Sequence, residues 1–213
     1  SLILASAAGT PGKLLSASAA ASAGKTTTAL NLSCAMAQAG KKVLLIDADM
    51  RKPRVHKALK MTNKSGLSNY LAGGKSSILK KSTNENLDVI TSGPIPPNPS
   101  ELLVSDKFKA LLASLEAQFD FIFIDSAPLF SATETLLLSK AAEGTVMVTK
   151  AGKSTYEVVA SGLRSLAESG GHPLGLVINC LNRDKAGYGY GYGYGGKYYN
   201  KYSGYYTPDQ SEK

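Results

Sequence analysis

The sequence predicts an α/β fold: a parallel sheet flanked by helices, followed by a flexible Tyr/Gly-rich C-terminal tail. Three observations carry this expectation. Short, fully apolar runs alternate with helix-length segments, the pattern of βαβ units and a parallel sheet. A Gly24-Lys25-Thr26 triplet sits between one such run and the next helix. After Asp184 the aliphatic residues all but disappear, so nothing there can build a core.

The elements follow in order. Residues 13–18 form a short strand. Residues 25–39 read as a helix with apolar positions at Leu30, Ala35 and Ala37, stopped by Gly40. Val43-Leu44-Leu45-Ile46 is a continuous apolar run, as a strand buried on both faces requires. Residues 87–90 give another strand. Residues 105–119 form an amphipathic helix through Phe108, Leu111, Leu112 and Leu115, and residues 121–124 a second fully apolar strand. Ser131 with Glu134, and Ser154 with Glu157, fit the S-x-x-E capping box, so each pair should open a helix. Residues 146–148 and 176–178 complete the strands.

The length of 213 residues suggests one domain with a tail, divided here at 183/184. Net charge is +8, which suits nucleic acid, anionic lipid or a phosphorylated ligand without choosing among them. Cys34 and Cys180 belong to no CxxC or Cys/His cluster, and His56 and His172 are the only histidines, so a zinc site does not fit. The thiols are expected to be buried in a reducing compartment. No apolar run is long enough to span a bilayer and no signal peptide is visible. The chain begins with Ser1 rather than Met, as a fragment or processed chain would. Ala and Ser fill 13 of the first 24 positions, which leaves that edge without the large side chains a domain border normally carries.

Residues 19–26, Ala-Ala-Ala-Ser-Ala-Gly-Lys-Thr, have the Walker A frame with Ala in place of the first Gly. The fold class is therefore P-loop NTPase-like. Such a loop works because consecutive backbone N–H groups curl around phosphates and a helix N-terminus adds partial positive charge. Ala23, Gly24, Lys25, Thr26 and Thr27 are the expected nucleotide contacts. Lys25 reaches the β- and γ-phosphates, and the Thr26 hydroxyl ligates Mg²⁺. An Ala at position 19 would be unfavourable if its φ had to be positive. Asp47 and Asp49 end one buried strand and Asp125 ends another, where carboxylates facing a P-loop can hold Mg²⁺. Taken singly, each Asp could be a helix cap or turn residue.

These residues carry a resemblance. Asp47-Ala48-Asp49-Met50-Arg51-Lys52-Pro53 looks like the Walker A′ motif of the bacterial tyrosine kinases. Ile124-Asp125-Ser126-Ala127-Pro128 resembles their Walker B, and residues 93–103, GPIPPNPSELL, their GPxPPNPxELL segment. Nine of the 11 tyrosines fall in the tail, at Tyr188, Tyr190, Tyr192, Tyr194, Tyr198, Tyr199, Tyr202, Tyr205 and Tyr206, which is similar to that family's autophosphorylation cluster. MinD/ParA-like ATPases share the Walker A and B motifs but often carry an extra lysine early in the loop; residues 19–23 have none.

The resemblance implies an ATP- and Mg²⁺-dependent protein-tyrosine kinase that phosphorylates its tail tyrosines in trans and regulates capsule or exopolysaccharide polymerisation and export. It implies a place at the cytoplasmic face of the bacterial inner membrane, with a transmembrane co-polymerase that is fused or separate. It further implies a ring of subunits, a protein-tyrosine phosphatase and no nucleic-acid partner. Asp47 would be the base for the acceptor hydroxyl. Asp49 and Asp125 would hold Mg²⁺, largely through water. Arg51 would neutralise developing phosphate charge or bind the partner, although Arg51, Lys52, Arg54 and Lys57 could also form a solvated basic face. Related folds read adenine where Asn179 and Arg183 stand. The family's ring contacts use an E-x-x-R-x-x-R helix, and residues 1–9 contain neither Glu nor Arg, so ring assembly is not expected of this chain itself. Tyr70 and Tyr156 should be packed in the folded body. Each tail phosphate adds about −1.5 to −2 charge, so extensive phosphorylation should expel the tail from a neighbour's active site. The competing readings are an ATPase assembly switch and an inactive tyrosine-rich scaffold.

Overall fold

The structure, a computed structural model, describes residues 12–181. The expected boundary at 183/184, Arg183 and the tail tyrosines lie outside the described residues.

Seven strands form one sheet: β1 (Lys13–Ala17), β2 (Val43–Asp47), β3 (Leu79–Lys81), β4 (Leu87–Ile90), β5 (Phe121–Asp125), β6 (Gly144–Lys150) and β7 (Pro173–Asn179). Their order is β3-β4-β2-β5-β1-β6-β7. All neighbours are parallel except β3, which pairs antiparallel with β4 at one edge. The helices are α1 (Lys25–Gln38), α2 (Val55–Ala58), α3 (Leu67–Leu71), α4 (Pro99–Val104), α5 (Asp106–Glu116), α6 (Glu134–Ala141) and α7 (Tyr156–Glu168).

The central strands are apolar at consecutive positions because both faces are covered. Alternate side chains of β2 and β5 enter different cores. Leu44, Ile46, Ile122 and Ile124 join a cluster with Leu67 of α3, Leu103 of α4, Phe108, Leu111, Leu112 and Leu115 of α5, and Leu138 of α6. Val43, Leu45, Phe121 and Phe123 join a second cluster with Ala29 and Ala37 of α1. α1 approaches the sheet through small residues at four-residue spacing, Ala29, Ser33 and Ala37. Ala35, expected on the apolar face, is exposed instead.

Four other expectations need correction. Ser131 does not cap α6: it ends a short 3₁₀ turn (Leu129–Ser131), and Thr133 stands at the helix border. The cap of α7 is Thr155, whose hydroxyl accepts from the Val158 N–H, rather than Ser154. Tyr156 is 83% exposed and not packed, whereas Tyr70 is partly buried against the first core cluster. The thiols are not both buried: Cys34 is half-buried and Cys180 is exposed.

β1 and β5 are neighbours, and the crossover from β1 to β2 runs one way along the sheet while that from β5 to β6 runs the other. That is the topological switch point, where open α/β sheets bind ligands at the strand C-termini.

Candidate nucleotide and phosphoryl-transfer site

The loop between β1 and α1 is anchored from both sides. The Ser18 hydroxyl donates to the Ala20 carbonyl at 2.7 Å, and the Thr28 N–H donates to the Gly24 carbonyl at 2.9 Å. Left-handed backbone occurs at Ser22 (φ 60°) and Gly24 (φ 99°), not at Ala19. The strain expected of an Ala in place of the first Gly therefore does not arise. At Gly24 a side chain is excluded twice over: by φ, and by the Asn179 amide nitrogen, 1.9 Å from where a Cβ would stand. No side chain caps the start of α1. Its first N–H groups and the positive end of its dipole thus remain available to an anion.

This loop forms one wall of an open cleft of about 670 Å³. Gly24, Lys25, Thr26 and Thr27 line it together with Asp49, Lys52, Arg54 and Lys57. Asp47 and Asp125 are register partners at the tips of β2 and β5, and both are wholly buried. Asp125 is one hydrogen bond behind the cleft: the Thr26 hydroxyl donates to its Oδ2 at 2.6 Å. Asp47 Oδ2 accepts from the backbone N–H groups of Arg54 and Val55 at 3.2 and 3.0 Å, which caps α2. Asp49 Oδ1 accepts from the Lys52 N–H at 2.9 Å. Asp47 and Asp49 therefore have the structural employment that capping predicts, each through one oxygen.

The second oxygens differ. Asp47 Oδ1 and Asp125 Oδ1 are buried and have no hydrogen-bond partner among the described residues. An orphaned buried carboxylate oxygen is costly. Burial, followed by the nearby Asp125 carboxylate, pushes the Asp47 pKa well above the carboxylate range. Burial pushes Asp125 up to about 7 despite the opposing Thr26 hydrogen bond and the Lys25 charge. A cation at this place would relieve both groups. Among the described residues no three His, Cys, Asp or Glu side chains gather to hold a metal alone. That fits Mg²⁺, which takes one or two carboxylates and completes its shell with phosphate oxygens and water. Thr26, Asp49 and Asp125 have the donor chemistry it requires.

Arg51 does not line this cleft. Its Nε donates to Glu134 Oε1 at 2.6 Å, and Glu134 also accepts from the Ser100 hydroxyl at 3.0 Å. Glu134 is 1% exposed. Burial is the largest single influence and would raise its pKa, but the hydrogen bonds from Arg51, the backbone and Ser100, together with the Arg51 charge, outweigh it and the carboxyl stays below its usual value. In sequence Glu134 fits a capping box, a pattern that does not reveal this role. An acidic residue shortly after the Asp125 strand tip was the only available signal. Ala23 is buried, and its carbonyl accepts from the Asn179 amide at 3.1 Å. Asn179 thereby braces the loop from β7.

The loop, the switch point and the paired strand-tip carboxylates define a P-loop nucleotide-binding protein. A family model for an AAA domain matches residues 19–167. The tyrosine-protein kinase YwqD of Bacillus subtilis is 43% identical over 171 residues, 78% of this chain and 72% of that protein. The tyrosine-protein kinase wzc of Salmonella typhimurium is 37% identical over 169 residues, 78% of this chain but 24% of that protein. The solved kinase domain of the Escherichia coli tyrosine kinase ETK superposes with a TM-score of 0.79 at 31% identity, covering 86% of this chain and 72% of that one. The chain belongs to the bacterial tyrosine kinase family.

Proposed function

We propose that this chain is an ATP-dependent protein-tyrosine kinase that phosphorylates C-terminal tyrosines in trans and regulates capsule or exopolysaccharide polymerisation and export. The observation that carries the reading is the site's joint: Lys25 and Thr26 in a P-loop, with Thr26 bonded to Asp125 and Asp47 paired beside it. Lys25 and the amides opening α1 hold the phosphate chain, and Thr26, Asp49 and Asp125 hold Mg²⁺. When bound, Mg²⁺ neutralises charge between the phosphates.

Transfer forms a bond from the acceptor Tyr Oη to the γ-phosphorus and breaks the bond from that phosphorus to the oxygen that leaves with ADP. Asp47 takes the phenolic proton. A free Tyr hydroxyl has a pKa near 10, so full ionisation at pH 7 would cost about 4 kcal/mol. A late proton acceptor of raised pKa avoids that cost. Asn179 holds the loop and, with Arg183, lies on the segment that reads the base. Arg51, locked by Glu134, positions the A′ segment and its neighbouring cations.

Incubation with Mg·ATP followed by phosphotyrosine mapping tests the reading, with Lys25→Met as control. Phosphotyrosine that depends on Lys25 supports the kinase. Free phosphate without phosphotyrosine points to an ATPase switch, and neither product points to a scaffold.

The proposed partner is a transmembrane co-polymerase at the cytoplasmic face of the inner membrane, with a phosphatase resetting the tail. Among the described residues no helix is long and apolar enough to cross a membrane. The larger part of the wzc protein lies outside the matched region, whereas the match covers 72% of the YwqD protein, so the proposed co-polymerase is fused or separate. Ring assembly belongs to the parent protein in this reading.

A further inference from the structure

Behind one wall of the nucleotide cleft lies a second groove of about 360 Å³. Lys52, Arg54 and Lys57 line both. The groove adds Arg51 and His56, and no carboxylate lines it. Among the described residues Lys52, Arg54 and Lys57 make no ion pair. His56 Nδ1 is buried and has no hydrogen-bond partner among the described residues. The groove is also partly apolar, through Pro53, Pro94 and Ile95, the last 65% exposed. Asn63 fixes that rim: its amide donates to the Gly93 carbonyl at 2.7 Å and its carbonyl accepts from the Gly93 N–H at 2.8 Å.

Free cations beside an apolar wall fit an aromatic phosphomonoester. The cations take the phosphate oxygens, and the prolines and Ile95 take the ring. A cavity of about 150 Å³ holds a benzene, so the groove has room for a ring and its phosphate. We propose that this groove binds a phosphotyrosine already made in the tail and thereby primes transfer to a neighbouring tyrosine in the cleft. The proposal rests on the kinase reading. Residues 187–194 alternate Gly and Tyr. In an extended peptide of that sequence successive tyrosines share a face about 7 Å apart. One phosphotyrosine in the groove would then leave its neighbour across the shared wall of cations, facing the cleft.

The test uses the full chain with Mg·ADP filling the cleft, so that the P-loop is not the anion site measured. The probe is a synthetic peptide of residues 187–195 carrying one phosphotyrosine, at Tyr190. The comparison probes are the same peptide unphosphorylated, a phosphoserine version and inorganic phosphate. The phosphotyrosine peptide should bind at least about tenfold more tightly than its unmodified form. Ile95→Glu should remove that advantage and Ile95→Lys should keep it. The His56 ring resonances should shift with the phosphotyrosine peptide alone. In a second arm, with Mg·ATP, the singly phosphorylated peptide should accept its next phosphate faster than the unmodified peptide accepts its first. Ile95→Glu should erase that difference while leaving the unmodified peptide's rate in place. Equal binding of the two peptides, equal competition by phosphoserine or inorganic phosphate, or an undiminished advantage in Ile95→Glu would overturn the proposal. The binding arm needs no catalysis, so loss of Lys25-dependent phosphotyrosine would sink the kinase reading separately.

Discussion

Asp47 and Asp125 are register partners on adjacent parallel strands, and each keeps its Oδ1 buried without a hydrogen bond among the described residues. Two such carboxylates make the ligand-free fold pay for ionisation. Asp125 keeps its proton to about pH 7 in the fold against 3.8 for an ordinary Asp. The fold thus binds the proton more tightly than the unfolded chain. Its contribution to stability is full below pH 4 and disappears as pH rises through 7. Without nucleotide or Mg²⁺, Asp125→Asn should therefore raise stability at pH 8, by on the order of 3 kcal/mol. The gain should shrink toward pH 4. The slope is reduced and not abolished, because Asp47 still titrates. Denaturant melts of both proteins from pH 4 to 8 check this; parallel curves would sink it.

The same displacement predicts how the site takes its metal. Mg²⁺ needs ionised carboxylates. Mg·ADP affinity should climb as pH rises through about 7, the pKa of Asp125, and should level off above it. In Asp125→Asn the affinity should be lower and nearly flat with pH. Calorimetric titrations across that range decide it, and a wild-type affinity indifferent to pH would count against Asp125 as a metal-holding group.

Asp47→Asn separates proton acceptance from nucleotide binding. Asn keeps an oxygen to cap α2 but cannot take a proton. The turnover number for tyrosine phosphorylation should fall by about 10²–10⁴-fold, with nucleotide affinity changed little. Lys25→Met should lose both. Steady-state kinetics beside nucleotide titrations distinguish the two. An Asp47→Asn enzyme as fast as the wild type would remove Asp47 from the chemistry.

How much of this was legible in the sequence depends on the residue. β2 and β5 are legible because burial on both faces demands unbroken apolar runs, and each run stops at an Asp. The P-loop is legible because its chemistry is local. β3 is not: Leu79-Lys80-Lys81 is an edge strand in which Lys80 turns inward and donates to the carbonyls of Thr62 and Ser65 and the Thr91 hydroxyl. α2, α3 and α4 are too short for a helical period to show. The Arg51–Glu134 pair joins residues 83 apart, and no local pattern marks either partner. The family resemblance puts Asn179 near the nucleotide, but its grip on the Ala23 carbonyl comes only from the sheet order that sets β7 beside β6.

Arg51 and Glu134 are unequal partners, and their substitutions should be unequal too. The Arg51 side chain is 48% exposed and that of Glu134 is 2% exposed. Arg51→Ala leaves a buried carboxylate with only the Ser100 hydroxyl to hold it, at a cost of about 2–3 kcal/mol. Glu134→Gln leaves Arg51 free to turn into water while the amide still accepts a hydrogen bond, at a cost of about 1 kcal/mol. Chemical denaturation of the two variants should rank them in that order. The reverse ranking would mean that Arg51, not Glu134, is the group the fold is built around.

The tail supplies the last prediction, because the groove and the charge argument pull in opposite directions as phosphates accumulate. One phosphotyrosine finds free cations at Lys52, Arg54 and Lys57, and binding is favoured. Each further phosphate adds about −1.5 to −2 charge to a segment whose own lysines are Lys185, Lys197, Lys201 and Lys213. The groove cannot neutralise several at once, so repulsion along the tail overtakes attraction. In the parent protein, self-association should therefore persist through the first phosphorylation and weaken as more tyrosines are modified. Native mass spectrometry over a time course with Mg·ATP resolves both phosphate number and subunit number. Oligomers carrying a fully phosphorylated tail on every subunit would show that charge does not drive release.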